Sequence, residues 1–421
     1  MVGSGECSAI TGLERRKVTE TQRRRILFVD DEPPVLNLLQ TLIRHAQPDW
    51  DSAFTDRGAK ALQMMEQAPF DAVVTDMRMP EMNGAELLEQ VRDRYPRTAR
   101  LVLSGYADQP LSARALGAAH QYLSKPFTLA GLQGTLNRLF DVRRYLGDLR
   151  LQEAIGGLHA LPAGPTLHGR FEQDIASPSA TGDILSASVA QDVALTAKFL
   201  QIVHSAFFGP PRGVTLAKDC VRGLGMGLIR SLALGNQLSL PPLGQELGGV
   251  SLDAVSRHGV ATGLRATRIM ALERAVPDAV KLAFTGGVLH GVGRLVLASL
   301  FPEAYARAMA RARAGEVKLL QAEQQECGTS HAEAGAYLLG LWGLPESLVS
   351  LVAHVHQPGR IRASSISVTA LAAVHVASRL EVAASDVPLA ATEPLDEGYL
   401  QSLRVDSARL TSWKEATREF A

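Results

Sequence analysis

Short, mostly apolar runs alternate with longer amphipathic segments along the first third of the chain. Four runs have the length and composition of strands buried on both faces, and they lie at 26–29, 72–75, 100–103 and 120–123. A weaker strand is predicted at 52–55. Between the runs, apolar residues recur at helical spacing, and prolines at 33 and 34 mark the start of the first helix. Five strands that alternate with five helices predict an α/β domain with a doubly wound, five-stranded parallel sheet.

The pattern changes after residue 166, where helical periodicity continues without the alternation that is typical of strands. A strongly apolar helix is predicted at Ala279–Leu300. A capping-box signature, Ser330-x-x-Glu333, predicts that a further helix covers His331–Leu341. The rest of the chain is therefore expected to form an all-α domain.

Leucines 132, 139 and 146 are seven residues apart where the first domain ends, and Val142 and Leu149 repeat this spacing. The heptads fit either a short coiled coil, which would allow a homodimer, or an amphipathic helix packed on its own domain. Glycines and prolines between 156 and 165 end the pattern. The predicted organisation is a disordered tail (1–25), an α/β domain (26–140), a helical linker (141–165), a helical domain (166–385) and a C-terminal extension (386–421).

Charge and cysteine usage narrow the class of protein. Lys and Arg number 43 and Asp and Glu also number 43, so the formal net charge is zero, which argues against direct nucleic-acid binding. The three cysteines are far apart and odd in number, as expected of free thiols in a cytosolic protein. No signal peptide and no run long enough to cross a membrane is recognised. We expect a cytoplasmic protein without membrane contact.

Charged side chains stand at the carboxyl ends of three predicted strands. Asp30 and Asp31 end the first, Asp76 ends the third, and Lys125 follows the last. Parallel sheets place ligand sites at this edge. Phosphoryl transfer needs an oxygen nucleophile and nearby cations, so Asp76 is a candidate nucleophile beside an Mg²⁺ gathered by the paired acids. Taken alone, Asp76 also fits a turn aspartate that caps the next helix.

The stretches ILFVDD (26–31), DAVVTDMRMPEMNG (71–84) and LSKPF (123–127) together resemble the receiver domain of two-component response regulators. The resemblance covers about 26–140. It depends on agreement at five separated positions: Asp30, Asp31, Asp76, Ser104 and Lys125.

This resemblance implies specific roles. Asp76 would be the phosphoacceptor of a sensor histidine kinase. Mg²⁺ would be bound directly by Asp31, Asp76 and the backbone carbonyl of Arg78, and through water by Asp30. Lys125 would pair with the carboxylate and then with the phosphoryl oxygens, next to a cis bond to Pro126. Two switch residues would report phosphorylation, and they are Ser104 and Tyr122.

The second half resembles the HDOD family, a helical output domain related to the HD phosphohydrolases. The matching segments are DVALTAKFLQIVHSAFFG (192–209), VLHGVGRLVLASLFPE (288–303) and SHAEAGAYLLGLWGLPESL (330–348), and the resemblance covers about 156–380. His204 departs from the asparagine that is common in the family.

The metal ligands of active HD enzymes are incomplete in this chain. His258 and His290 match the histidines, but Gly291 and Ser378 stand where the two aspartates would be. Neutral imidazoles alone are a poor site for a hydrolytic metal. Further histidines that could contribute, or that could be hydrogen-bonded core or surface residues, are His331, His354, His356 and His375.

We therefore expect a phosphorylation-dependent response regulator in which the receiver controls a non-catalytic HDOD module that binds an unidentified partner protein. The heptad helix would carry the change between domains. One alternative is a receiver-gated HD-type phosphohydrolase with a rebuilt histidine site. Another is a phosphate sink with an inert second domain.

Overall fold

The computed structural model describes residues 23–46, 49–105, 117–204, 216–234, 238–240, 244, 246–361, 369–380 and 393–418. The first part is a parallel sheet with strand order β2-β1-β3-β4-β5, so the α/β prediction is confirmed. Its strands are β1 (Arg24–Val29), β2 (Trp50–Thr55), β3 (Ala72–Asp76), β4 (Ala99–Ser104) and β5 (Gln121–Ser124).

Helices flank this sheet at Pro33–Ala46, Gly58–Gln67, Gly84–Arg94 and Leu129–Asp141. The predicted helix between β4 and β5 falls largely on residues 106–116, outside the described residues. Arg24 and Arg25, assigned to the N-terminal tail from the sequence, instead form the start of β1.

The turn after β3 depends on one glycine. Gly84 begins the next helix, and Asn83 and Glu86 form a reciprocal capping box at its N-terminus. A Cβ on Gly84 would overlap the carbonyl oxygen of Asp76. The close approach of these two backbones keeps the carboxyl end of β3 compact, where Asp76 lies.

The predicted heptad helix is not formed. The helix Leu129–Asp141 ends, a 3-10 turn covers Val142–Tyr145, and a new helix begins at Leu149. Leucines 132, 139 and 146 are buried in the core, whereas Leu149 is 54% exposed. The spacing therefore reflects packing against the body of the protein, and no apolar seam is left for a coiled coil.

The helical part follows, and its prediction as an all-α domain is confirmed. The capping box at Ser330 and Glu333 is present and opens the predicted helix. A short antiparallel hairpin, Glu246–Leu247 with Val250–Ser251, was not foreseen. The described helices are Leu149–Gly156, Pro165–Ala176, Gly182–Gln191, Val193–His204, Ala217–Leu224, Met226–Leu234, Leu252–Leu272, Pro277–Leu289, Val292–Leu300, Pro302–Arg313, Leu319–Cys327, His331–Leu341, Glu346–His354, Ala370–Leu380, Glu397–Ser402 and Ser407–Ala416.

The predicted apolar helix at Ala279–Leu300 is two helices that meet at His290 and Gly291. Together, Pro277–Leu300 is long and apolar enough to cross a membrane, contrary to the sequence-based expectation that no such run exists. Its apolar window is 83% buried inside the protein, as is usual for core helices.

The C-terminal extension packs on the helical part through a second apolar cluster that includes buried Trp413. The indole N–H of Trp413 donates to Glu273 (2.8 Å), which also pairs with Arg409. The carboxylate that follows the helix Leu252–Leu272 therefore anchors the last described helix.

The sheet and the helical part share one continuous core. The Gln121 side chain, on β5, donates to the carbonyl oxygens of Gly340 and Leu341. The 3-10 turn Val142–Tyr145 packs on the helix His331–Leu341, and the Tyr145 hydroxyl donates to Glu346 (3.0 Å). The last strand of the sheet is thus joined directly to the helical part.

Candidate functional site

The carboxyl edge of the sheet brings three predicted residues together. The Lys125 ammonium donates to Asp30 Oδ2 (3.0 Å) and to Asp76 Oδ1. Asp30 is 1% exposed, and Asp76 lies at the edge of solvent. Lys125 follows β5 and precedes a cis peptide bond to Pro126, as the sequence resemblance implied. Side chains from three strands therefore meet at one point.

The remaining carboxylate oxygens accept from backbone amides. Asp76 Oδ2 accepts from Arg78 N (2.7 Å), and Asp30 Oδ1 accepts from Glu32 N (3.0 Å). Asp31 is half-buried at the same edge and makes no hydrogen bond to other described residues. These contacts fix the orientation of Asp30 and Asp76 and leave the Asp31 carboxylate available.

The ion pairs dominate the electrostatics of Lys125. Burial by itself lowers the pKa of this ammonium, but the hydrogen bonds and charges of Asp76 and Asp30 outweigh it, and the pKa is raised. Lys125 therefore carries its positive charge at neutral pH. It supplies the counter-charge for two carboxylates that would otherwise repel each other.

The donors at this edge suit a hard cation, because all of them are oxygen atoms. Asp30, Asp31, Asp76 and the carbonyl of Arg78 could hold Mg²⁺. Within the described part of the chain, no group of three or more His, Cys, Asp and Glu side chains is already arranged around a metal position. At this edge, the Lys125 ammonium pairs with both Asp30 and Asp76.

The two predicted switch residues have different outcomes. Ser104 ends β4 beside Ser124, but its side chain lies outside the described residues. Tyr122 is on β5 and is 3% exposed, and burial raises the pKa of its hydroxyl well above the ordinary value. Tyr122 lines a cleft of about 650 Å³ whose lining also includes His204 and Leu344 of the helical part.

The histidines predicted as remnants of a metal site lie close together in the helical part. His258 Nε2 is 3.1 Å from His290 Nε2, and His331 Nε2 is 2.7 Å from His356 Nε2. The rings of His290 and His356 are 6.2 Å apart between centroids. We refer to these four residues as the histidine cluster.

Hydrogen bonding fixes the tautomers of one pair. The Arg379 guanidinium lies 3.3 Å from His356 Nδ1, and because arginine can only donate, this nitrogen is an acceptor. The His356 proton is then on Nε2 and is donated to His331 Nε2. His331 carries its own proton on Nδ1 and donates it to Glu323 (2.7 Å). This chain of contacts runs from a cation to a carboxylate.

The second pair is ordered in the same way. His290 Nδ1 lies 2.6 Å from the carbonyl oxygen of Gly287 and donates to it. His290 Nε2 must then accept the proton on His258 Nε2. In each pair, the Nε2 lone pair of one ring (His331 or His290) accepts the proton of the partner ring.

Burial and nearby positive charge favour the neutral form of three of these rings. Burial lowers the pKa of His258 and His356 well below the ordinary value and lowers that of His290 to about 3. Arg294 and Arg379 lower all three further. The surroundings of the cluster are therefore positive.

The other predicted residues take structural positions. His375 Nδ1 donates to the carbonyl of Val355 (2.7 Å), and its Nε2 accepts from Asp396 N (3.0 Å). His354 lies outside the cluster, where its ring bonds to the carbonyl of Ser350. Ser378 accepts from Arg379 (2.7 Å) and so supports the residue that orients His356.

Three residues of this region were missed from the sequence: Arg294, Glu323 and Arg379. Arg294 is 1% exposed and four residues after His290. A charged residue inside the apolar run 288–300 was the available signal, because such residues are rarely buried without a partner. Glu323 and Arg379 had no local signal, since they reach the cluster only through the tertiary fold.

Comparison with known proteins identifies both parts. The family model of the response regulator receiver domain matches residues 26–137, and that of the HDOD domain matches residues 161–358. Together they account for most of the chain.

Individual relatives agree with this division. The chain is 32% identical over 112 residues to the response regulator protein PilR of Pseudomonas aeruginosa. The matched region covers 26% of this chain and 25% of PilR. A signal receiver domain of an HD domain-containing protein from Pseudomonas fluorescens Pf-5 is 30% identical and covers 31% of this chain and 95% of that one (TM-score 0.29).

The MmoQ response regulator of Methylococcus capsulatus is 24% identical and covers 58% of this chain and 98% of that one (TM-score 0.44). The first curated relatives are matched over only about a quarter to a third of their own length. By its two matched domains, this chain belongs to the response regulators, with an N-terminal receiver domain followed by an HDOD domain.

Proposed function

We propose that Asp76 accepts a phosphoryl group from a sensor histidine kinase and that this modification controls a non-catalytic HDOD module that binds a partner protein. The observation that supports the proposal best is the Lys125 ammonium, which is hydrogen-bonded to both Asp30 and Asp76 at the carboxyl edge. A largely buried carboxylate at the edge of the sheet, such as that of Asp76, is suited to form an acyl phosphate when an ammonium group lies beside it.

In this mechanism an Asp76 oxygen attacks phosphorus, and the bond from phosphorus to the donor breaks. Lys125 then leaves the Asp76 carboxylate and pairs with the phosphoryl oxygens, while Arg78 N continues to orient the aspartate. Asp30 holds the other side of the ammonium and limits its movement. Ser104 and Tyr122 are the residues that would report the change.

Mg²⁺ bound by Asp31, Asp76 and the Arg78 carbonyl, with Asp30 acting through water, would neutralise charge on the transferred group. The oxygen-only donor set and the available Asp31 carboxylate fit this ion. Lys125 and a bound cation would then both offset the negative charge of this edge.

The histidine cluster supports the proposal that the HDOD module has no hydrolytic activity. Gly291 has no side chain where an HD enzyme needs its central carboxylate. For His356 to bind a metal through Nε2, its proton would have to move to Nδ1, which faces the Arg379 guanidinium. That arrangement places two donors against each other and is unfavourable.

The domain contact gives a route for control. Tyr122 neighbours Gln121, whose amide bonds to Gly340 and Leu341, and it lines the cleft toward the helical part. A change at the end of β5 therefore reaches the HDOD module directly, rather than through the heptad helix expected from the sequence.

The test is labelling of the full chain with a small acyl-phosphate donor and Mg²⁺, with the adduct located by mass spectrometry. One phosphoryl group on Asp76 is expected, lost in Asp76→Asn and retained in Asp93→Asn, which removes an exposed carboxylate of the same domain. Chelation of Mg²⁺ should abolish the labelling of Asp76. Full labelling of Asp76→Asn would contradict the proposal.

The non-catalytic assignment has its own assay. Nucleotides and cyclic dinucleotides are supplied with Mn²⁺, Mg²⁺ or Fe²⁺, and no turnover is expected. Turnover that is lost in His290→Ala would instead favour an HD-type phosphohydrolase.

A further inference from the structure

Arg294 is a buried cation for which the fold supplies no acceptor. Its side chain is 1% exposed, and Nε, Nη1 and Nη2 have no hydrogen-bond partner among the described residues. No carboxylate within that part of the chain forms an ion pair with it. A guanidinium has five N–H donors, and leaving a buried donor unpaired is costly. Such a group in a native fold requires an explanation.

The charges around Arg294 do not neutralise it. Its positive charge contributes to lowering the pKa of His258, His290 and His356, which places it within electrostatic reach of the cluster. Burial lowers the pKa of Arg379 only to about 10, so this second guanidinium is also charged at neutral pH.

The carboxylate that contacts the histidine cluster already has its own hydrogen-bond donors. Glu323 accepts from His331 Nδ1 (2.7 Å) and His331 N (2.9 Å). The negative charge of Glu393 acts on Arg379. Arg294 therefore remains the guanidinium of this region that has no partner among the described residues. A desolvated charge without a partner favours an anion.

We propose that the interior of the HDOD module binds a small oxyanion of the phosphate class through Arg294, beside the histidine cluster. The planar fork of donors on Arg294 matches the paired oxygens of such an anion. The proposal is independent of phosphorylation at Asp76.

Gly291 lies next to this site and offers a way to test it. A Cβ on Gly291 would make only an ordinary contact, 3.6 Å from Val255 Cγ1, and its φ of −93° suits any residue. Gly291 caps the helix that contains Arg294 three residues later, so side chains at the two positions are neighbours. An aspartate at 291 would therefore supply an internal carboxylate to Arg294.

The experiment is calorimetric titration of the full chain with inorganic phosphate at constant ionic strength, paired with thermal unfolding. Wild type should bind one phosphate per HDOD module and unfold about 3 °C or more higher at saturating phosphate. Arg294→Met should lose binding and should not unfold at a lower temperature in phosphate-free buffer, because an unpaired buried charge has been removed.

Matched variants separate charge from shape. Gly291→Asp should lower phosphate affinity at least about tenfold, whereas Gly291→Asn, of the same size without the charge, should keep it. Arg307→Met, which removes an exposed arginine of the same domain, should bind phosphate as wild type does. If Arg294→Met does not fold, the comparison of the two Gly291 variants decides.

Three results would overturn the proposal. Phosphate binding that is unchanged in Arg294→Met or Gly291→Asp would place it elsewhere. An absence of binding by wild type would exclude the site. Stabilisation by Zn²⁺ or Mn²⁺ that disappears in His290→Ala, without any phosphate effect, would show that the cluster holds a metal.

Discussion

The side-chain amide of Gln121, in the last receiver strand, lies 3.4 Å from the carbonyl oxygen of Gly340 in the HDOD module and donates to it. These residues are 219 positions apart in sequence. The contact is buried and adjoins Tyr122, so the strand that ends beside the Asp30, Asp76 and Lys125 edge is also the strand that contacts the HDOD module. Any rearrangement of β5 must alter this boundary.

Gly340→Ala should weaken the domain boundary. A Cβ at this position would overlap Val142 Cγ1, on the 3-10 turn that follows the receiver. Overpacking of this kind costs about 1–3 kcal/mol of unfolding free energy. Chemical denaturation of the full chain measures the change.

Val142→Ala provides the partner variant. It should lower stability alone but make the effect of Gly340→Ala smaller, because the clashing methyl group is gone. Gly134→Ala is the control, since its Cβ meets only the flexible end of Arg138 and alanine favours the helix. Strictly additive effects of Val142→Ala and Gly340→Ala would show that the two positions do not touch.

Lys125→Met should destabilise the receiver by about 1–3 kcal/mol, because buried Asp30 then faces Asp76 without a counter-charge. Millimolar Mg²⁺ should restore part of the lost stability, and it should stabilise the variant more than it stabilises wild type. Thermal unfolding with Mg²⁺ or with chelator checks both effects. Equal responses of variant and wild type to Mg²⁺ would mean that the cation is not bound among these carboxylates.

Asp192 gives the HDOD module a dependence on pH. Burial raises the pKa of this carboxyl from 3.8 to about 6, although Leu195 N and Gly164 N donate to it. The folded state therefore holds the proton more tightly than the unfolded chain, and stability is lost as pH rises from about 4 to 6. The loss amounts to about 3 kcal/mol.

Asp192→Asn should remove this dependence, since the amide keeps an acceptor oxygen and does not titrate. The difference in unfolding free energy between wild type and variant should shift in favour of the variant between pH 4 and pH 7. A difference that stays constant over this range would contradict the raised pKa.

The sequence predicted well what depends on local pattern. The buried strands that end at Asp30 and Asp76 were visible because parallel strands read as continuous apolar runs. The capping box at Ser330 was visible because its two residues are three apart. Lys125 could be placed with them because parallel strands end at one edge.

The errors arose where packing overrides periodicity. Leu132 and Leu139 have heptad spacing, yet they face the core of their own domain and the helix ends at Asp141. Arg379 orients His356 from a helix beyond residues 362–368, which no local spacing reveals. The contact of Gln121 with Gly340 was equally hidden, since a polar residue in a strand gives no sign of its partner.

Hydrogen exchange tests most directly whether phosphorylation of Asp76 controls the HDOD module. Peptides that cover 121–124 and 340–346 are compared in the labelled and unlabelled full chain, with Asp76→Asn treated in parallel. A coupling of about 1–3 kcal/mol predicts that exchange in 340–346 changes roughly 5- to 150-fold on labelling of wild type and stays the same in Asp76→Asn. Identical exchange at 340–346 in fully labelled and unlabelled wild type would contradict the account.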